Sequence, residues 1–118
     1  MRAELNKFVE KPWGYEKWIA VTDHYALKEI FLKKGCRTSL QYHNQKEEHS
    51  YVLSGKLSIE EDNENKEMIV NVYEPGGIIH AKPLARHRVT ALEDSVFIEV
   101  STPHLDDVVR VEDDFDRK

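Results

Sequence analysis

Nowhere in the chain is the apolar repeat of an amphipathic helix sustained; short runs of β-branched and aromatic residues are instead broken at roughly 8–12-residue intervals by Gly, Pro or charged turns. The runs fall at 24–32, 39–43, 50–53, 56–60, 67–73, 78–81, 87–92 and 96–101. Lys33-Lys34-Gly35, Ser54-Gly55 and Pro75-Gly76-Gly77 supply the breaks. A helical bundle needs long apolar stripes, so this punctuation excludes one and points to an all-β sandwich or barrel. The aromatic segment 11–18, Lys-Pro-Trp-Gly-Tyr-Glu-Lys-Trp, carries a Pro and a Gly that favour an extended or turning path. The tail 106–118 carries five Asp and one Glu, and such a charge run reads as a solvated face.

At 118 residues the chain matches one domain, taken as 1–118. Its net charge of −5 excludes a broad nucleic-acid footprint, which needs a basic stripe to displace counterions. A local cluster of Lys and Arg can still hold a small anion on an acidic protein. The single cysteine, Cys36, makes no internal disulfide, no apolar run approaches the ~20 residues of a membrane span, and residues 1–7 lack a signal-peptide core. The expected compartment is the cytoplasm, with no membrane partner.

Chemistry concentrates in one place. Arg37, Ser39, Gln41 and His43 alternate, so on a strand all four side chains share one face. Glu48 follows five residues after His43, and His87 opens another strand-like run. Gln41, His43, Glu48 and His87 together offer two oxygens and two imidazole nitrogens, a donor set suited to a borderline divalent ion.

The spacing of these residues resembles the two cupin motifs. The first runs Gly35, Gln41, His43, Glu48, Gly55, with Gln in place of the first His. The second keeps Gly76 and His87, with Lys82 and Leu84 where Pro and Gly are usual. Within the cupins the chain is most similar to the C-terminal isomerase domain of type II phosphomannose isomerases. Pro12-Trp13-Gly14, Ser39-Leu40-Gln41-Tyr42-His43, Glu48-His49, Val52-Leu53-Ser54-Gly55, His87-Arg88 and the stretch from Asp107 to Phe115 carry that resemblance, in order. Departures at Asn44, Gln45, Lys46, Glu47 and Ser50 (where that family often has His, His, Arg, a small residue and Trp) reshape the expected mouth of the barrel, and Asp116 replaces a usual Gly.

The resemblance implies a double-stranded β-helix, a jelly-roll barrel, holding one divalent metal ion on Gln41, His43, Glu48 and His87. Zn is the first expectation, with Mn, Ni, Co or Fe open. It implies a mannose-6-phosphate isomerase in sugar-nucleotide or polysaccharide biosynthesis, with a sugar phosphate as the small-molecule partner. An isomerase also needs a base and a phosphate clamp. Glu99, His49 and His80 are the candidate bases; Arg37, Lys46 and Lys28 are the candidate phosphate ligands. Arg88, next to His87, points to the other face and reads as a structural ion pair. Trp13 and Trp18 read as core or interface packing. No G-x-G-x-R nucleotide loop is present, so guanylyltransferase activity is not expected. A homodimer is expected, with the aromatic N-terminal segment covering exposed sheet. A metal cupin acting on another sugar or on oxygen, and a non-catalytic binding cupin, are the alternatives.

Overall fold

The computed structural model describes residues 1–117, and among these the regular structure is entirely β. In chain order the strands are β1 (Lys7–Lys11), β2 (Gly14–Val21), β3 (Ala26–Leu32), β4 (Leu40–Tyr42), β5 (Glu48–Ser54), β6 (Leu57–Asp62), β7 (Met68–Tyr73), β8 (Ile78–Ala81), β9 (His87–Ala91), β10 (Ser95–Ser101) and β11 (Val109–Glu112). They form a six-stranded sheet, β1-β2-β3-β10-β5-β8, facing a five-stranded sheet, β11-β4-β9-β6-β7, with every pairing antiparallel. This is a jelly-roll barrel, the architecture expected from the sequence. Among the described residues no helix is long and apolar enough to cross a membrane.

The period-two pattern sets what lies inside. In β3, β5 and β10 every second residue is buried, which sends Ile30, Leu32, Val52 and Phe97 into a core shared with Trp13, Leu57, Ile59 and Ala91. Full burial of Leu32, Leu57 or Ile59 stabilises the fold by roughly 1.5–3 kcal/mol each. Further along the same strands the inward positions turn polar: Lys28, Glu48, Ser50 and Glu99 are all buried. The barrel is therefore divided along its strands into an apolar plug and a charged half. Burying charge is costly, so the charged half is where function is to be sought.

The Pro and Gly of residues 11–18 make the turn expected of them: β1 and β2 are a hairpin that pairs onto β3, with Trp13 buried in the core. Phe8, Tyr15 and Phe31 instead form an outward aromatic ladder, with centroid spacings of 5.3 Å. The acidic tail is not merely solvated, because β11 pairs with β4 and closes the edge of the second sheet. Run 24–32 starts two residues late because Thr22 and Tyr25 close a turn, the Thr22 amide donating to the Tyr25 carbonyl at 2.9 Å.

Glycines at the motif positions answer a backbone demand. Gly55 has φ +88°, and a Cβ there would stand 2.2 Å from Ser95 Oγ and 2.4 Å from the Asp94 carbonyl oxygen. In the second motif the demand persists after the glycine is gone. Leu84 itself holds φ +71°, and its amide donates to the His43 carbonyl at 2.6 Å.

Candidate metal centre

Strand alternation aims Glu48 inward at the start of β5, while His87 opens β9 directly opposite Gln41 of β4 and His43 follows β4. The three ligand-bearing side chains His43, Glu48 and His87 converge, their donor atoms all within 4.8 Å of one another. Glu48 Oε1 lies 3.5 Å from His43 Nε2 and 3.3 Å from His87 Nε2. The two Nε2 atoms are buried without a hydrogen-bond partner.

The other ring nitrogens explain that orientation. His43 Nδ1 faces the Asp107 carbonyl oxygen at 2.5 Å, and His87 Nδ1 faces the Ala85 carbonyl oxygen at 3.0 Å. A carbonyl only accepts, so each Nδ1 carries the hydrogen and each Nε2 turns its lone pair toward Glu48. Carbonyl-anchored imidazoles of this kind are how proteins fix metal-binding histidines. Two orphaned buried nitrogens beside a carboxylate fit a divalent cation. Gln41 lines the same cavity as a neutral oxygen donor, and Ser39 Oγ donates to its Oε1 at 2.6 Å.

Charge around Glu48 is balanced by neighbours rather than by water. Burial raises its pKa, but the adjoining His43 and His87 rings and the Lys46 charge hold it well below the usual carboxylate range. Lys46 Nζ lies 3.2 Å from Glu48 and 3.4 Å from Glu99. Burial opposes the charge on Lys46, yet Glu99 and Glu48 raise its pKa above that of a free ammonium. Glu99, 9% exposed, is pushed up to about 8, first by burial and next by the Glu48 charge. It is thus a carboxyl able to hold and release a proton near neutrality, beside the donor cluster.

The cavity, about 490 Å³, contains Gln41, His43, Glu48, His87, Glu99, Lys46 and Lys28. Lys46 belongs to the loop between β4 and β5, and its side chain is buried in the cavity wall while Asn44 and Gln45 stay exposed. Lys28 is buried and pairs with Glu16 at 3.3 Å, with its Nζ 4.7 Å from the Trp18 ring centroid. Arg37 is not there. It makes only an isolated bridge to Thr90, so the alternation assumed from 37 to 43 does not hold, and its guanidinium pairs with Asp114 at 2.6 and 2.7 Å on the surface. His49 is likewise outside: Glu48 faces in, so His49 faces out and stacks on His80 at 4.0 Å. His80 reaches the cavity rim, where its Nε2 meets Glu47 Oε2 at 2.5 Å. Arg88 is buried against Glu112 and the Thr38 carbonyl, the structural role expected of it.

Asp107 is the residue that sequence reasoning missed. Its carboxylate accepts the backbone N–H groups of Asn44, Gln45 and Lys46 at 3.0, 2.6 and 2.9 Å while its carbonyl holds the His43 ring. Those three amides lower its pKa to about 2. The available signal was its place at the head of the family-like stretch 107–115, which the reading of the tail as solvated charge obscured.

Comparison with known proteins adds a family. The family described as mannose-6-phosphate isomerase C-terminal matches residues 2–113. The xanthan biosynthesis protein XanB of Xanthomonas campestris pv. campestris (strain B100) is 32% identical over 120 aligned positions, covering 98% of this chain and 25% of that protein. The alginate biosynthesis protein AlgA of Pseudomonas aeruginosa is 32% identical over 114 positions, covering 92% and 23%. The chain therefore spans about a quarter of the length of these relatives. Among solved structures, oxalate decarboxylase from Bacillus subtilis matches with TM-score 0.78 at 18% identity, over 89% of this chain and 30% of that one. KdgF from Halomonas sp. matches with TM-score 0.74 at 22% identity, over 86% and 91%. At such identities the likeness to these two is one of fold.

Proposed function

The chain belongs to the mannose-6-phosphate isomerase C-terminal family, and on that premise we propose that it is a metal-dependent aldose–ketose isomerase interconverting mannose 6-phosphate and fructose 6-phosphate. The relatives named for xanthan and alginate biosynthesis support a place in polysaccharide precursor supply. The observation that carries the reading is the pair of buried, lone-pair-bearing His Nε2 atoms beside Glu48, with the Glu99 carboxyl in the same cavity.

His43, Glu48 and His87, with Gln41 as a fourth donor, would hold one divalent ion. When bound, such an ion supplies Lewis-acid polarisation of a carbonyl and charge for a developing oxyanion. The choice among Zn, Mn, Ni, Co and Fe stays open; a structure of similar fold, from oxalate decarboxylase, is described with Mn(II) centres. Glu99 as carboxylate takes the proton from C2 of the aldose and returns it to C1 while the O2 hydroxyl proton passes to O1, giving the ketose with no net loss of hydrogen. Lys46 holds Glu99 and Glu48 in fixed positions and screens their repulsion. Burial of Glu48, Glu99 and Lys46 keeps water from competing for that proton.

Ser50 lines the cavity where the family resemblance leads to Trp, and this favours a second reading, a related sugar phosphate of different shape. We assign the protein a homodimeric state, supported by the exposed apolar side chains on the outer face of the six-stranded sheet. Elemental analysis followed by a coupled isomerase assay with the metal found is the test. Turnover of mannose 6-phosphate, solvent deuterium at C1 or C2, and a ~10²–10⁴-fold lower kcat in Glu99→Gln are expected. A folded, metal-loaded protein that turns over no hexose phosphate overturns the reading.

A further inference from the structure

Beyond the donor cluster, two rows of side chains run in register across the cavity walls. In the six-stranded sheet, Ser50, Glu99, Lys28 and Trp18 lie side by side on β5, β10, β3 and β2. In the facing sheet, Glu61, His87, Gln41 and Arg110 do the same on β6, β9, β4 and β11. Lys28 thus stands two strands from the β5 strand that bears Glu48, and Arg110 two strands from the β9 strand that bears His87. Two strand spacings are roughly 10 Å, comparable with the length of an open-chain hexose phosphate. Lys11, which ends β1, and Arg117, beyond β11, line the cavity as well.

Four cations from four separate parts of the chain therefore gather at one end of the cavity. Their positions are held: Glu16 braces Lys28 at 3.3 Å, and Asp113 braces Arg117 through Nε at 2.8 Å and Nη2 at 3.1 Å. The crowding is felt at Lys11, whose pKa is lowered by burial first and then, against the pull of Glu16, by the charges of Lys28, Arg117 and Arg110. An arriving anion relieves that repulsion.

We propose that Lys11, Lys28, Arg110 and Arg117 form the subsite for the phosphate group of a hexose monophosphate, placing its sugar carbons toward His43, Glu48 and His87. The ligand class rests on the isomerase reading; the place of the phosphate rests on the cavity alone. A phosphate monoester carries a charge near −2 and suits both the Arg fork and the Lys point charges. Arg37 is displaced from this role by its surface pairing with Asp114.

The test is isothermal titration of the metal-loaded protein with mannose 6-phosphate, mannose and inorganic phosphate. Lys11→Gln and Arg110→Gln, checked for folding by circular dichroism and for metal content, should each bind mannose 6-phosphate at least tenfold more weakly. Inorganic phosphate affinity should fall in parallel, neutral mannose binding should not change, and Arg37→Gln should behave as wild type. Lys11 lies on an edge strand, so its variant keeps the test alive should Arg110→Gln misfold. Wild-type phosphate binding in both variants, or loss of it in Arg37→Gln alone, overturns the subsite. Turnover of mannose 6-phosphate with unchanged KM in both variants overturns the subsite and leaves the isomerase reading standing. Phosphate binding lost in the variants without hexose phosphate turnover in wild type leaves the subsite and removes the isomerase.

Discussion

Single atoms decide the donor cluster, because each imidazole has one nitrogen bound to a carbonyl and one left toward Glu48. Removing either ring takes a buried nitrogen donor from beside Glu48, at a cost of about 1–3 kcal/mol. His43→Ala and His87→Ala should each lose stoichiometric metal while keeping the β circular-dichroism signature. Added metal should raise the thermal midpoint of wild type and leave that of His87→Ala unmoved, since only a species that binds the folded state stabilises it. Equal metal occupancy in wild type and both variants would show the ligand set to be wrong. Asp107 acts one step out, by holding the 44–46 amides and the His43 ring, so Asp107→Ala should weaken metal affinity by roughly 10–100-fold without removing a ligand. Its titration has a definite sign. The folded-state pKa, about 2, lies below the ordinary 3.8, so the stabilisation is complete above the ordinary value and is lost as pH falls through the folded one. Acid unfolding followed between pH 4 and 2 should therefore be steeper in wild type than in Asp107→Ala.

At the scale of elements, the short strands and their turns are set by local chemistry, and the motif glycines are the sharpest instance. Gly55→Ala must place a methyl group on the Ser95 hydroxyl and the Asp94 carbonyl while holding a left-handed backbone. A destabilisation of at least about 2 kcal/mol is expected, read as a lower urea midpoint at unchanged m. At Leu84 the logic reverses: the side chain is 66% exposed and the backbone left-handed, so Leu84→Gly relieves strain without opening a cavity. The gain is offset in part by the extra freedom of glycine in the unfolded chain, so the urea midpoint should rise modestly or stay level. A clear fall would mean that the Leu84 side chain has packing partners in solution. β11 shows how one element serves two ends, since its pairing with β4 places Arg110 beside Gln41 and fixes the approach of Asp107 to residues 44–46.

For the whole molecule the outer face of the six-stranded sheet is the feature that bears on assembly. Phe8, Tyr51, Leu53, Ile78 and Val100 are exposed there on four different strands, contiguous with the Phe8–Tyr15–Phe31 ladder. A contiguous apolar face of this kind is where a second copy would pack. Light scattering should give twice the chain mass, and Tyr51→Glu should shift it toward the monomer with the metal site intact. A wild-type monomer with full activity would discard the dimer.

The first cupin motif was readable from the chain itself, because its glycines sit where the backbone must turn and its donors sit at strand parity. Parity put Gln41 and His43 on one face and left Glu99 open between cavity and solvent. The rhythm of turns reached a sandwich or barrel, and the cupin resemblance joined Glu48 and His87 to the set and chose the barrel. The local rule failed at Arg37 because parity holds only along a continuous strand, and residues 38 and 39 leave the ladder. It was silent on Asp107, Arg110 and Arg117 because their roles arise from β11 lying beside β4, a pairing between segments nearly seventy residues apart. Composition had marked that tail as charge in water. Only the closing of the second sheet turned it inward, since an edge strand must satisfy its backbone and brings its side chains with it.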